Sequence, residues 1–471
     1  MSSVVTQIKA PKAEVFRRAY IKRRSAATGL FESSWFEVSE DVKKYGTIKK
    51  EIDSARLNKF TFASSKLVFN NDAGLYNPHD NEFSHWYSYL NQQRTLVKIE
   101  AGFYERILRA DGVWSTLEHP GNSTLWDQAV FDSGSYLFDQ SASSSSVVFV
   151  GIVSGDIPLT DNNEVTFNIK PLTSLFQDFP ARNLTGWTST GITASQFVTM
   201  IRDQTDGAGA FIFRPFFENT TTYWDISATS NVYSNLNTST AADVFDKTVW
   251  EVIEKLSEAE NFVPYITREG VFKFVSRASN TTTVAYEFHG AGSYDTEYGQ
   301  TIKKITSYSK KVSKYYSRVQ VKFQAADTIT SYVTVESSFA VSPSSNPWVL
   351  GHRTFSLENL LIPNTATAST IATTIFNDYS SLKNEISFKT SFIPHLDILD
   401  RVSLNYDPSE ISLNSLWDQN DWAADSSVTS ADLIFDNSAG DAIRLSGDEF
   451  AFLSIELNLD TFENTFVARE V

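Results

Sequence analysis

The chain has 471 residues, of which 40 are Lys or Arg and 56 are Asp or Glu, so its formal net charge is −16, and it contains no cysteine. This length is enough for about two to four domains. The negative charge argues against a protein that grips nucleic-acid phosphates, and the lack of cysteine excludes disulfides and thiolate metal sites.

The aromatic content indicates a β-rich protein. The chain contains 35 Phe, 19 Tyr and 10 Trp together with many Ser, Thr and Asn, a composition typical of aromatic strand faces and polar turns. No apolar run reaches the roughly 20 residues that a membrane helix needs, and the first residues lack the apolar core of a signal peptide. We therefore expect a soluble chain with no membrane span.

The first predicted segment is an extended basic arm over residues 1–34, which is rich in Lys and Arg and poor in large apolar side chains. It is either a solvated arm or a segment that docks on an acidic neighbouring subunit. In the second case the candidate contact residues are Arg17, Arg18, Arg23 and Arg24.

Residues 35–179 are predicted to form a β module. Alternating apolar residues predict strands over 95–104, 147–153 and 164–169. An insert at about 112–146 separates the first two of these strands, and it contains the tetrapeptide Leu-Trp-Asp-Gln at 125–128.

Residues 180–300 are predicted to form an α+β module, because the apolar period changes from two to about 3.6. One helix is expected over 193–202 and a clearer one over 247–260, where Thr248 and Glu251 have the spacing of a capping box. A hairpin of two strands, around a turn at 268–270, follows the second helix.

Residues 301–471 are predicted to form a second β module. After a polar linker at 302–317 come one strand, a helix over 365–380, and three strands that frame a second insert at about 408–447. This insert repeats Leu-Trp-Asp-Gln at 416–419. In both modules the predicted order of elements is therefore a strand, a Trp-Asp insert, a strand, a turn and a strand. This shared order predicts a duplicated unit.

The two inserts carry the candidate contact residues, which are aromatic or acidic: Trp126, Asp127, Phe131, Trp417, Asp418 and Trp422. The favoured interpretation is structural, with the indole covering a strand and the Asp binding a turn amide. Two alternatives stay open: the clustered Asp residues could bind Ca²⁺, and exposed Trp rings could stack on sugars of the host.

The sequence contains no recognisable catalytic motif. The patterns Gly-x-Ser-x-Gly, His-Glu-x-x-His and Gly-x-x-x-x-Gly-Lys are all missing from the chain. We therefore expect no enzymatic activity, no metal and no cofactor.

The run at 246–274 resembles the central module of phage tail hub proteins. It combines a short helix with a hairpin of the pattern Tyr265, Gly270, Phe274, and a strand similar to the family's follows at 319–323. The segment 399–404 resembles the family's Gly-Asp-x-Val strand, with Leu399 in place of the Gly. The first third, with Gly-Thr-Ile at 46–48 and Gly-Ile-Val at 151–153, is similar to the opening domain of tail hub and distal tail proteins.

This resemblance implies a mainly β fold, in which two tail-tube-like β-barrel modules flank a helix-plus-hairpin module. It implies a baseplate hub at the tail tip of a virion, assembled in the host cytoplasm. A homotrimer would form a pseudo-six-fold ring that joins the tail tube or distal tail protein to a central fibre or spike. The tape-measure protein would be a further partner, and DNA would pass through without specific binding. Alternatives are a receptor-binding tail protein that contacts host glycans and a tail-associated cell-wall hydrolase.

Overall fold

The computed structural model describes most of the chain. The described residues are 15–52, 60–61, 64–77, 82, 84–87, 89, 94–103, 106–108, 114–116, 144–155, 163–234, 236–241, 243–276, 283–290, 301–326, 329–336, 353–398, 400–406, 443 and 445–471. The predicted insert residues Trp126, Asp127, Phe131, Trp417, Asp418 and Trp422 lie outside this set, as do residues 1–14 and Leu399. The expectations placed on these residues stay predictions.

The elements follow the chain in three groups. The first third contains β1 (Val15–Lys22), β2 (Phe36–Glu37), β3 (Val42–Lys44), β4 (Thr47–Ile52), β5 (Phe60–Thr61), β6 (Ser65–Asn70), β7 (Leu96–Phe103), β8 (Arg106–Leu108), β9 (Trp114–Thr116), β10 (Ser144–Val153) and β11 (Glu164–Pro171). The middle contains α1 (Ser174–Gln177), β12 (Ile192–Thr193), α2 (Ala194–Arg202), β13 (Trp224–Ile226), β14 (Val232–Tyr233), α3 (Val249–Glu260), β15 (Phe262–Ile266) and β16 (Phe272–Ser276).

The last third contains β17 (Val284–Gly290), β18 (Ile302–Lys310), β19 (Arg318–Ala326), β20 (Ile329–Glu336), β21 (Thr354–Glu358), α4 (Thr365–Tyr379), β22 (Asn384–Ser391), β23 (Arg401–Tyr406), β24 (Leu445–Asn458) and β25 (Glu463–Glu470). Short 3-10 turns occupy Ser39–Asp41, Ala181–Asn183, Arg214–Phe216, Thr221–Tyr223 and Val312–Lys314.

The first β module is a seven-stranded antiparallel sheet in the order β2-β1-β7-β10-β11-β6-β3. Its two edge strands, β2 and β3, are separated by only four residues of the chain. The sheet must therefore curve until its edges come close to each other. Alternate side chains of β6 and β11, such as Phe69 and Phe167, fill the inside of this curve.

The second β module has the strand order β17-β23-β24-β25-β22-β18. Its end strands also approach each other, because the backbone N–H of Thr301 donates to the carbonyl oxygen of His289 at 2.8 Å. Four buried rings pack inside the module: Phe288, Phe388, Phe452 and Phe466.

The central module packs α3 and α4 against two three-stranded sheets, β13-β16-β15 and β20-β19-β21. One hydrophobic core joins these elements and includes Phe176, Ile253, Phe272, Val321 and Ile371. The predicted helices over 193–202, 247–260 and 365–380 are confirmed as α2, α3 and α4. The capping box of α3 is formed as predicted, with Thr248 accepting from the N–H of Glu251.

The structure divides the chain differently from the predicted boundaries of 35–179, 180–300 and 301–471. Strand β4 leaves the first third and pairs with β24, and β17 belongs to the second β module. The segment from β19 to α4 leaves the second β module and completes the central core. The module that each strand joins depends on packing between distant segments of the chain. The local periodicity of the sequence does not reveal this packing.

Two local predictions are corrected. The extended arm predicted over 1–34 is wrong for its described part, because β1 lies inside the first sheet between β2 and β7. The polar linker predicted over 302–317 is wrong as well, since it contains β18. Strand β18 lies at the end of its sheet and most of its side chains are exposed, so its sequence lacks the apolar alternation of a half-buried strand.

The prediction of a mainly β fold with an α+β part is confirmed. In the described part of the chain, no helix is long and apolar enough to cross a membrane.

Candidate functional site

Five strands of the first β module, β7-β10-β11-β6-β3, match β23-β24-β25-β22-β18 of the second down to single residue pairs. The strands next to them differ, since β1 runs antiparallel to β7 whereas β17 runs parallel to β23. In the first module β7 pairs with β10, and Val97 lies opposite Gly151. In the second module β23 pairs with β24 in the same way, and Val402 lies opposite Phe450. The hairpins that follow also match, because Val153 pairs with Ile169 and Phe452 pairs with Ala468.

Both modules carry a β-bulge at the same place. The register between β7 and β10 skips Val148, three residues before Gly151. The register between β23 and β24 skips Gly447, three residues before Phe450. A bulge inserts one unpaired residue and re-aims the strand, and it is a designed feature of a sheet. The shared bulge therefore supports the duplication that the sequence predicts.

The two inserts leave their modules at equivalent points. The first insert lies between β7 and β10, and the second lies between β23 and β24. Because these strand pairs match, the inserts connect the same two strands in both modules. The chemistry predicted for their Trp and Asp residues stays a prediction.

A second repeat becomes apparent only from the strand registers. Strand β3 corresponds to β18, because the two strands pair with equivalent neighbours. The residues Val42, Lys43 and Lys44 match Ile302, Lys303 and Lys304, and in both strands the middle lysine has no residue opposite it in the pairing. In each copy the middle lysine reaches the first residue of the module's last strand. The distances are 3.3 Å from Lys43 Nζ to Glu164 Oε1 and 2.9 Å from Lys303 Nζ to Glu463 Oε1.

A third lysine lies on the neighbouring strand of each module, but at a different position, since Lys66 is opposite Asn168 and Lys389 is opposite Thr465. We call Lys43, Lys44 and Lys66 with Glu164 the first lysine cluster, and Lys303, Lys304 and Lys389 with Glu463 the second lysine cluster. All six lysines are exposed. The hydrogen bond from Lys303 lowers the pKa of Glu463, and the nearby charge of Lys389 lowers it further.

The intermodule joint connects the first β module to the second. Strand β4 continues the chain from β3 and adds to the second half of β24, with Ile48 opposite Leu457. The turn after β24 is fixed by Asp460, whose carboxylate accepts from the N–H groups of Tyr45 and Gly46 at 3.0 Å each. Gly46 has a φ of +67°, and a side chain there would lie 3.0 Å from the carbonyl oxygen of Lys66.

Arg17 closes the intermodule joint from the first sheet. Its Nη1 lies 2.8 Å from Asp460 Oδ1 and also donates to the carbonyl oxygen of Leu459. Its guanidinium lies over the Tyr45 ring, 4.6 Å from the ring centre. The joint thus combines added strand pairing, an ion pair and a cation–π contact.

A polar cluster joins β4 to the second β module and to the central hairpin. Lys50 Nζ lies 2.9 Å from Asp397 Oδ1, and the N–H of Arg268 donates to Asp397 Oδ2 at 3.1 Å. Burial alone would raise the pKa of Asp397, but the Lys50 ammonium and the two backbone N–H groups that donate to it hold it below its usual value.

Two titratable groups flank Asp397. Asp400 accepts from the N–H of Asp397 at 2.7 Å. Burial, supported by the charge of Asp397, raises the pKa of Asp400 to about 6. Burial also lowers the pKa of His395 to about 4, and the charge of Arg268 acts in the same direction. Strand β4, the turn of the central hairpin and the segment 395–400 of the second β module therefore share one network of buried polar groups.

The central module is tied to β1 by a third polar contact. Lys22 Nζ lies 2.6 Å from Glu218 Oε2, and the Trp35 ring N–H donates to the other carboxylate oxygen at 3.0 Å. Glu218 and Asn219 both have a φ of +52°, a backbone region that is costly for residues other than glycine.

The four predicted arm residues all make contacts within the chain. Arg17 binds Asp460, and Arg18 Nε lies 3.9 Å from Glu37 Oε1. Arg23 Nη2 lies 2.7 Å from Glu32 Oε1, and its guanidinium lies 4.1 Å from the centre of the Tyr89 ring. Arg24 donates to the carbonyl oxygen of Gly29 at 3.0 Å. Three of these arginines are therefore engaged within the first β module, and Arg17 is engaged across the intermodule joint.

The described residues contain no group of three or more His, Asp or Glu side chains arranged to hold a metal ion. The most distinctive feature of the described residues is the duplication, with its shared bulge and repeated lysine pairs, together with the intermodule joint.

No protein-family model and no curated protein matches the chain. Among solved structures, the chain is similar to the tail protein from Neisseria meningitidis MC58, at 9% identity and a TM-score of 0.47, over 96% of each chain. It is similar to the 43 kDa tail protein of prophage MuSo2 from Shewanella oneidensis, at 9% identity and a TM-score of 0.45, over 96% of this chain and 98% of that one. It is also similar to a prophage tail protein from Listeria monocytogenes EGD-e, at 9% identity and a TM-score of 0.45, over 96% and 94% of the two chains. All three of these solved structures are tail proteins.

Proposed function

We propose that this chain is a structural protein of a phage tail tip, a baseplate hub in which three copies form a ring. The observation that carries the proposal is the residue-level duplication of the two β modules, including their shared bulge. Three copies would contribute six equivalent modules. Such a ring would match a six-fold tube on one side while keeping three-fold symmetry on the other.

The intermodule joint indicates how the ring would be built. Within one chain, β4 and Arg17 of the first module hold the second module. Because the modules are equivalent, the second module of one copy would meet the first module of the next copy in a related geometry. Three joints within chains and three between chains would close the ring.

The proposed partners are the tail tube or distal tail protein on the six-fold side and a fibre or spike on the three-fold side, with the tape-measure protein as a further partner. The net charge of −16 suits a channel through which DNA passes without specific binding, because like charges repel. We propose no enzymatic activity for the chain.

Two measurements on the purified chain test this proposal. Native mass spectrometry would give the number of copies, and electron microscopy would give the symmetry. We expect three copies and a ring with six similar lobes. A stable monomer at high protein concentration, or a ring of six copies, would count against the proposal.

A further inference from the structure

The two β modules contain equivalent connectors. Residues 71–95 link β6 to β7, and residues 392–400 link β22 to β23. Because β6 matches β22 and β7 matches β23, we call these segments the first connector and the second connector. Both place buried side chains in the core of the β modules: Tyr76 and Trp86 from the first, and Phe392, Ile393, Leu396 and Ile398 from the second. The connectors therefore occupy corresponding places in their modules.

The second connector contacts the first β module and the central module. The Phe392 ring lies 6.2 Å from the ring of Phe103, which ends β7 in the first β module. Asp397 binds Lys50 of β4 at 2.9 Å, and the N–H of Arg268 in the central hairpin donates to the same carboxylate at 3.1 Å. Within one chain the second connector therefore forms one side of a contact between modules.

The first connector packs against a segment of its own module. The carbonyl oxygen of His85 accepts from Arg23 Nη1 at 2.6 Å, and the His85 ring lies 5.0 Å from the Phe36 ring. Tyr89 and Ser25 pair in an isolated β-bridge. The part of the chain that runs from the end of β1 to β2 therefore lies against the first connector.

Three large apolar side chains around the first connector are exposed. The exposed fraction is 58% for Leu30, 37% for Phe36 and 51% for Tyr87. Tyr87 belongs to the connector and Phe36 touches it, while the carbonyl oxygen of Leu30 accepts at 2.8 Å from the N–H of Ser25, the residue that bridges Tyr89. We call Leu30, Phe36 and Tyr87 the apolar patch. Grouped apolar side chains that face water mark binding surfaces, because covering them removes apolar area from water.

We infer that the apolar patch binds the second β module of a neighbouring copy of this chain. This inference rests on the proposed function, in which six similar modules alternate around a ring. Within one chain the second connector meets the first β module, which precedes it in the ring. The first connector must then meet the module that precedes its own, and that module is the second one of the next copy. The patch lies on this side of the first β module.

The same equivalence gives the surface that meets the patch. Phe103 at the end of β7 contacts the second connector. Strand β23 matches β7, with Val402 in the place of Val97, so the end of β23 takes the corresponding place in the second β module. Tyr406 is the last residue of β23 and is only partly buried. We therefore expect the patch to lie against the end of β23, with aromatic side chains on both sides of the contact.

Photocrosslinking from a single cysteine tests the contact, because the native chain contains no cysteine. The variant Tyr87→Cys is labelled with a benzophenone maleimide and irradiated. We expect a band of two linked copies on a denaturing gel, and peptide mass spectrometry should place the crosslink in the second β module near Tyr406. The control Tyr332→Cys carries the label on β20, at a tyrosine that is 58% exposed, and should give no band of two copies.

Acidic substitutions test whether the contact holds the copies together. Leu30→Glu/Tyr87→Glu should change the mass in native mass spectrometry from three copies to one, because the new carboxylates would be buried without partners. The control Val232→Glu/Tyr332→Glu adds the same charge at apolar positions that are 56% and 58% exposed, and it should keep three copies. Circular dichroism and urea unfolding of both variants should match the native chain, since all four side chains face water in a single copy.

Several results would overturn the inference. A trimer that survives Leu30→Glu/Tyr87→Glu, with no band of two copies from Tyr87→Cys, would exclude the patch from the contact but leave the proposed ring intact. Crosslinks to the first β module of the other copy would show that the patch binds a second patch. Equal loss of the trimer in the control variant would show that the contact does not depend on this surface. A native chain that stays monomeric would contradict the ring itself, so the two claims can fail separately.

Discussion

Arg17 and Asp460, which are 443 positions apart in the chain, form an ion pair in which Nη1 lies 2.8 Å from Oδ1. Arg17 belongs to the first strand of the first β module, and Asp460 belongs to the last turn of the second. The same carboxylate binds the N–H groups of Tyr45 and Gly46. One acidic side chain of the second module therefore bonds to two separate segments of the first, in addition to the pairing of β4 with β24.

Replacement of Arg17 by Met should weaken this contact. The variant keeps an apolar side chain near the Tyr45 ring but loses the ion pair and the bond to the Leu459 carbonyl. We expect the free energy of unfolding to fall by about 1 to 2 kcal/mol, because the lost hydrogen bonds are charge-assisted and partly buried. Urea unfolding followed by tryptophan fluorescence would measure the change.

Arg18→Met is the matched control for that experiment. Arg18 lies on the same strand, but its Nε is 3.9 Å from Glu37 Oε1, so the pair is a weak surface contact. We expect a loss of about 0.5 kcal/mol or less. Equal losses in the two variants would show that Arg17 has no special role in the intermodule joint.

Asp400→Asn should change how stability depends on pH. The pKa of Asp400 is raised to about 6 in the folded chain, against a value of about 3.9 in an unfolded chain. Its contribution to stability is therefore complete below about pH 4 and is lost as the pH rises through about 6. The neutral Asn does not ionise. The free energy of unfolding of the variant, relative to that of the native chain, should therefore rise by about 1 to 3 kcal/mol from pH 4 to pH 7.5.

His395 also affects the pH dependence, because it faces the same cluster together with Asp397, Lys50 and Arg268. The pKa of His395 is lowered to about 4, so its contribution is present above about pH 6.5 and is lost as the pH falls towards 4. It opposes Asp400 over the same range. In Asp400→Asn the opposing effect is gone, and stability should fall more steeply on acidification than in the native chain. Parallel pH profiles of the two proteins would refute the assignment.

Asn219 offers a test of backbone strain. It follows Glu218, and both have a φ of +52°. Asn219→Gly should stabilise the chain or leave it unchanged, within about 0.5 kcal/mol, whereas Asn219→Val should cost about 1 to 2 kcal/mol because its branched side chain disfavours this conformation. Thermal unfolding would measure the stabilities of the two variants. Similar midpoint temperatures for Asn219→Gly and Asn219→Val would show that the backbone at this position is not strained.

Local signals in the sequence were sufficient for the helices and for the duplicated strands. Helix α3 was predictable because Thr248, Glu251 and the apolar stripe all lie within 12 residues of one another. The repeated Trp-Asp tetrapeptide marked the duplication because the strands on both sides have clear alternation. The structure adds the shared bulge at Val148 and Gly447, which no local pattern reveals.

Contacts between distant segments were not predictable in the same way. Strand β4 pairs with β24, about 400 positions later in the chain, and the sequence of β4 does not indicate which strand it pairs with. Strand β18 looked like a linker because its edge position exposes most of its side chains. The repeat of an apolar residue followed by two lysines, at 42–44 and 302–304, was visible in the sequence, but it is too short to stand out without the strand registers.

The number of copies and the symmetry of the assembled chain test the central claim most directly. Electron microscopy of the purified protein, with native mass spectrometry for the mass, would give both in one experiment. We expect three copies arranged in a ring of six similar lobes. A six-copy ring, or a chain that stays monomeric at high concentration, would contradict it.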